Sequence, residues 1–126
     1  MTTTLDLDPV REAALIAAQN DAFRRSILGT TPVADAPQGH FVMTRGVAAL
    51  GIDAQLELTR LVAAYDEFNT DSDPQGWHEM GVIDLDGTMV WFKVELYDVY
   101  YTCGSPEPSD PAQTRRVLTL LLPSEY

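Results

Sequence analysis

The sequence has a single cysteine, Cys103, so no disulfide can close within the chain. That fits a reducing compartment, and a cytoplasmic location is expected. Basic residues are scarce, with 8 Lys and Arg against 19 Asp and Glu, for a net charge of −11. A field of that sign opposes nucleic-acid phosphates and anionic membranes. It leaves solubility, cations or a basic protein partner as its uses. Histidine occurs only as His40 and His78, with no HExxH or CxxC spacing, which argues against a structural or catalytic zinc site. There is no P-loop, no GxSxG and no GxGxxG, so the common nucleotide-binding and serine-hydrolase signatures are missing. Residues 1–8 carry neither a basic nor an apolar segment, and no signal peptide is expected. No apolar run approaches the ~18 residues that a membrane helix needs.

What is present suits one domain. The chain has 126 residues, 45% of them hydrophobic, enough for a core without staples. Residues 1–8 read as a frayed lead. Asp8 and Pro9 form an N-cap and first-turn pair, and Ile16, Phe23 and Ile27 recur at helical spacing. This predicts a helix over 9–28, stopped by Gly29. Pro32, Pro37 and Gly39 mark a loop, and residues 40–45 a short strand. The stretch 46–51 is ambiguous and holds at most a helical turn. Asp53 caps a second helix whose stripe is Leu58, Leu61, Val62, Tyr65 and Phe68.

Residues 78–85 and 88–97 read as strands joined by a tight Asp86-Gly87 turn. In the second of them Val90, Phe92, Val94 and Leu96 alternate with Trp91, Lys93, Glu95 and Tyr97, so the first set should face the core. Residues 102–111 are rich in proline and form a loop, and 116–122 form the last strand. The expected fold is two-layer α+β, in the order α-β-α-β-β-β. Two amphipathic helices cover one face of an antiparallel sheet of about four strands.

Four segments carry a family resemblance: 15–25 (LIAAQNDAFRR), 39–50 (GHFVMTRGVAAL), 65–81 (YDEFNTDSDPQGWHEMG) and 104–126 (GSPEPSDPAQTRRVLTLLLPSEY). Together they resemble the bacterial family known as the domain of unknown function 3768. The chain departs from that pattern at Trp77, where a small or charged residue is expected before His78. The resemblance implies a cytoplasmic bacterial protein that is often encoded on plasmids and other mobile elements. It implies no activity and transfers no catalytic residue.

Several residues are candidates for chemistry. Asn20 falls on the apolar stripe of the first helix, where an amide must be hydrogen-bonded, either to a neighbouring segment or at the floor of a pocket. Asp21 and Arg24 are spaced to pair on the helix surface. Residues 71–76 have the spacing of half a calcium loop, but Val82 stands where the bidentate glutamate belongs. A looser cation site from Asp71, Asp73, His78 and Glu79 is the alternative. The plain reading is a turn whose carboxylates cap backbone N–H groups. His78 and Glu79, adjacent on a strand, point to opposite faces. No metal and no cofactor is expected.

Three functions follow. The first is a non-enzymatic interaction protein, an accessory factor of a mobile element that binds and inhibits a host or defence protein. Its partner carries basic charge, and nucleic-acid mimicry is one version. Its surface is Trp91, Lys93, Glu95 and Tyr97 with Tyr100 and Tyr101, aromatics of the kind enriched at interfaces. That face is either bare or covered by the loops 30–39 and 102–111. The second is a small enzyme or ligand binder with a polar pocket of Asn20, Asp73, His78 and Arg116 at the sheet end. The third is a homodimerisation module using the aromatic face. Binding to nucleic acid or membrane is not expected.

Overall fold

A computed structural model describes residues 8–27 and 37–126. Helix α1 spans Pro9–Ser26, strand β1 Gly39–Met43, a short helix α2 Arg45–Ala48 and helix α3 Ile52–Ala64. Strands β2 (Met80–Leu85), β3 (Thr88–Tyr97) and β4 (Arg115–Leu121) follow, and a 3-10 turn at Pro123–Glu125 ends the chain. The expected Gly29 stop, and most of the loop 30–39, lie outside the described residues. Among the described residues no helix is long and apolar enough to cross a membrane.

The two-layer α+β arrangement is the observed one. The strand order is β1-β4-β3-β2. The pairs β2–β3 and β3–β4 are antiparallel, but β1 runs parallel to β4, so the sheet is mixed. A two-residue turn dictates an antiparallel pair, and Asp86 and Gly87 supply the positive φ values it needs, 50° and 92°. No such turn constrains β1, which reaches β4 only after α2, α3 and two strands, and its direction is not encoded locally.

One face of the sheet is covered. Ile83, Val90, Phe92, Val94, Leu118 and Leu120 meet Phe23 of α1, Val47 of α2, and Leu58 and Val62 of α3. The β3 alternation thus has the expected register. Gly81 belongs to this layer because a Cβ there would sit 2.3 Å from the Phe92 ring and 2.7 Å from Tyr65. Helix α3 ends at Ala64, four residues short of Phe68, and Tyr65 and Phe68 reach the core from beyond its end. Its N-cap is Gly51, with Asp53 in the first turn instead of at the cap. The ambiguous stretch is α2, capped by the Thr44 hydroxyl on the Val47 N–H. Glu125 ties the chain end to this cap, accepting from the Thr44 hydroxyl and from the Gly46 and Leu122 N–H groups.

The opposite face carries Trp91, Lys93, Glu95 and Tyr97. Leu121 and Val82 flank Trp91, and Thr119 and Met80 flank Lys93. Val42 on β1 stands opposite Thr119. Among the described residues no α-helix covers this face, but the C-terminal turn reaches β3 and Leu121, beside Trp91, is buried.

Candidate functional site

Helix α1 brings an amide and a cation to its buried stripe. Asn20 and Arg24, one helical turn apart, are both inaccessible to solvent. The Asn20 Nδ2 donates to the Trp77 carbonyl at 2.9 Å, and its Oδ1 accepts from Arg116 Nε at 2.7 Å. The amide therefore ties α1 both to the 70–78 loop and to the sheet. Arg116 lies on β4 in line with Leu118 and Leu120, on the helix side of the sheet, and is fully buried. Its Nη2 donates to Gln19 Oε1 at 3.0 Å, while Gln19 Nε2 donates to the Ser109 carbonyl. Arg116 Nη1 has no partner among the described residues, and no carboxylate pairs with the guanidinium. Burial pulls its pKa down to about 10.

Arg24 does not lie on the helix surface, as its spacing from Asp21 suggested, but is 1% exposed. Its Nε and Nη2 donate to the carbonyls of Val62 and Tyr65, and its Nη1 to Asp21 at 2.7 Å. The guanidinium thus donates to carbonyls at the C-terminal end of α3, adding to the Tyr65 N–H at Val62, and a cation there complements the helix dipole. It lies 5.0 Å from the Phe68 ring centre. Burial lowers its pKa, and the Asp21 contact opposes that shift.

The 69–78 loop closes on itself. Asn69 Oδ1 accepts from the Asp71 and Ser72 N–H groups, and the buried Asp73 carboxylate accepts from the Trp77 and His78 N–H groups. The carboxylate that suggested a cation site is spent on the backbone. Among the described residues no group of three His, Cys, Asp or Glu is placed to hold a metal.

His78 precedes β2 instead of lying in a strand, and it adopts a left-handed backbone with φ of 56°. For a non-glycine residue that conformation is uncommon and is retained only when its surroundings impose it. Asp73 holds the His78 N–H, the ring stacks on Phe68 at 4.0 Å and 2°, and Nδ1 lies 3.0 and 3.1 Å from the two Asp21 oxygens. An ionised carboxylate only accepts, so Nδ1 carries the proton of this bond. Next to it, burial and then the charge of Asp73 raise the Glu79 pKa.

The four residues of the expected pocket are thereby joined in one hydrogen-bonded chain, running Arg116 to Asn20 to Trp77 to Asp73 to His78. Asp73 and His78, with Asp21, line a groove of about 730 Å³ between α1 and residues 70–78, whose α1 wall includes Val10, Ala14 and Ala18. Asn20 and Arg116 lie beneath it in the core and do not line the groove. Asp21 and Arg24 complete the arrangement. The only sequence signal for Arg24 was its place on the stripe of Ile16, Asn20 and Phe23, where a solvated arginine does not belong.

On the outer face of the sheet, Tyr126 packs on Trp91 with ring centres 5.4 Å apart. Lys93 lies 3.6 Å from Glu95. Tyr101 folds back between Tyr97 and His40, with ring centres 6.4 and 4.8 Å away. Tyr100 is 79% exposed. The proline-rich loop turns towards α1, where the Ser109 carbonyl meets Gln19. Cys103 is exposed.

No curated protein and no solved structure matches the chain. A model of the family described as a protein of unknown function (DUF3768) matches residues 43–125. Helix α1, with Asn20, Asp21 and Arg24, lies outside the matched residues. The match runs from the last residue of β1 into the C-terminal turn, well over half of the chain, and the protein belongs to the DUF3768 family.

Proposed function

We propose that the protein is a non-enzymatic binding protein that engages a basic protein partner through the outer face of its sheet. The observation that carries this reading is that face itself. Val42, Val82 and Met89 are exposed there beside the half-buried Trp91, Lys93 and Tyr97, and no α-helix covers them among the described residues. An apolar, aromatic strip with a charged rim has the composition of an interface core. Glu95, Asp84 and the overall charge of −11 complement a basic surface. The polar groups beneath α1 are mostly committed to internal hydrogen bonds, which favours a scaffold over a catalyst.

Phosphate mimicry is the less favoured version. A net charge of −11 is moderate for imitating a phosphate array. A ligand-binding reading has one observation in its favour, the imidazole that Asp21 and Phe68 fix at the groove.

The test is affinity capture from a bacterial lysate at low and high salt. Wild type is compared with Trp91→Ser/Val82→Lys and with a control at the exposed helix position, Leu56→Ser. A partner retained by wild type and the control, weakened by salt and lost with the sheet-face variant supports the reading. Capture unaffected by the sheet-face variant contradicts it. A concentration-dependent dimer abolished by the same variant would identify the partner as a second copy and refute the basic-partner reading.

A further inference from the structure

We propose that the groove between α1 and residues 70–78 is a separate binding site for a lysine or arginine side chain presented by a protein segment. The α1 wall is made of small apolar residues at successive turns, Val10, Ala14 and Ala18, and all three are exposed. They span about 12 Å of helix at ~1.5 Å per residue. Side chains this small let another chain approach closely and let an alkyl stem lie along the helix. The facing wall is Pro74, Gln75 and Gly76.

The end of the groove decides the chemistry. Its charged lining consists of Asp21 and Asp73, and no Lys or Arg lines it. Arg24 is buried against α3, with its donors directed to Val62, Tyr65 and Asp21. With Nδ1 donating to Asp21, a neutral His78 ring presents a lone pair at Nε2. That atom has no partner among the described residues, and the ring is 31% exposed and locked by stacking on Phe68. A ligand that brings a hydrogen-bond donor suits both the acidic lining and the neutral ring. In a field of −11 a cationic donor is preferred, and an anion is repelled. A group with an apolar stem and a cationic head meets both requirements, with the stem on the alanines and the head at His78 and Asp21.

The test uses isotope-labelled protein and three short peptides with alanine and leucine neighbours, identical except for a central lysine, norleucine or glutamate. Amide and imidazole shifts are followed at Ala14, Ala18, Gly76 and His78. The lysine peptide is expected to shift these signals, with norleucine about tenfold weaker and glutamate without effect. Ala18→Trp, a substitution at an exposed position, should fill the groove and abolish binding while leaving the melting temperature unchanged. Trp91→Ser/Val82→Lys should leave it intact, which separates this site from the sheet face. Equal affinity for norleucine, survival of binding in Ala18→Trp, or no shift with the lysine peptide would each overturn the proposal.

Discussion

Replacing Asn20 by leucine tests the polar network at its centre. The substitution adds apolar surface at a fully buried position, and a simple burial argument predicts a gain of about 1.5–2 kcal/mol. Both amide partners, however, lose their bond, Trp77 in a part-buried setting and Arg116 in a fully buried one. The Trp77 carbonyl loses a 2.9 Å donor, and Arg116 Nε loses a 2.7 Å acceptor. Each orphaned group costs about 1–3 kcal/mol, more when it is charged. Arg116 is the worse case, because its Nη1 already lacks a partner and it has no carboxylate to fall back on. The net expectation is a loss of about 1–3 kcal/mol. Urea denaturation measures it, with an unchanged m-value showing that the native state is intact. A double-mutant cycle isolates the charged partner. In Asn20→Leu/Arg116→Met the orphaned guanidinium is gone, so the double variant should lose at least about 1 kcal/mol less than the sum of the singles. A loss under about 0.5 kcal/mol for Asn20→Leu, or additivity within that margin, would refute the reasoning.

Three further outcomes are expected. Arg24→Met should destabilise by about 3 kcal/mol in the same assay, because the Tyr65 carbonyl loses its donor, the Val62 carbonyl keeps only the Tyr65 N–H, and Asp21 loses its buried cation. Phe92→Ala should lose about 3–5 kcal/mol, since this fully buried ring packs on Tyr65 and Phe68; a loss under about 1 kcal/mol would place the β3 alternation in the wrong register. Glu79→Gln should stabilise the protein at neutral pH: burial raises the folded-state pKa, so the wild type is penalised above that value, and the gain should vanish as pH falls below the ordinary glutamate range, as thermal melts across pH 3–8 will read.

Much of the fold was legible because it is written locally. The turn Asp86-Gly87 and the alternation from Thr88 to Tyr97 specify a hairpin, its register and its buried side together. The direction of β1 was not legible, since it depends on where a distant strand leaves room. Asn20 could be read as a buried amide from its place between Ile16 and Phe23. Arg24 could not be read in full, because an arginine in the last turns of a helix has a sufficient local explanation, and its real partners are 38 and 41 residues away. His78 misleads for a related reason. Its neighbours read as a continuous strand, and only Asp73 and Asp21 turn its backbone left-handed and its ring towards α1.

The central claim is that the outer face of the sheet is where the protein binds. The most direct measurement is oxidative footprinting of Trp91, Tyr97 and Tyr100 in the free protein and in the captured complex. The account predicts that Trp91 and Tyr97 become protected in the complex and lose that protection as salt dissociates it. Unchanged labelling of both residues in an intact complex would contradict it.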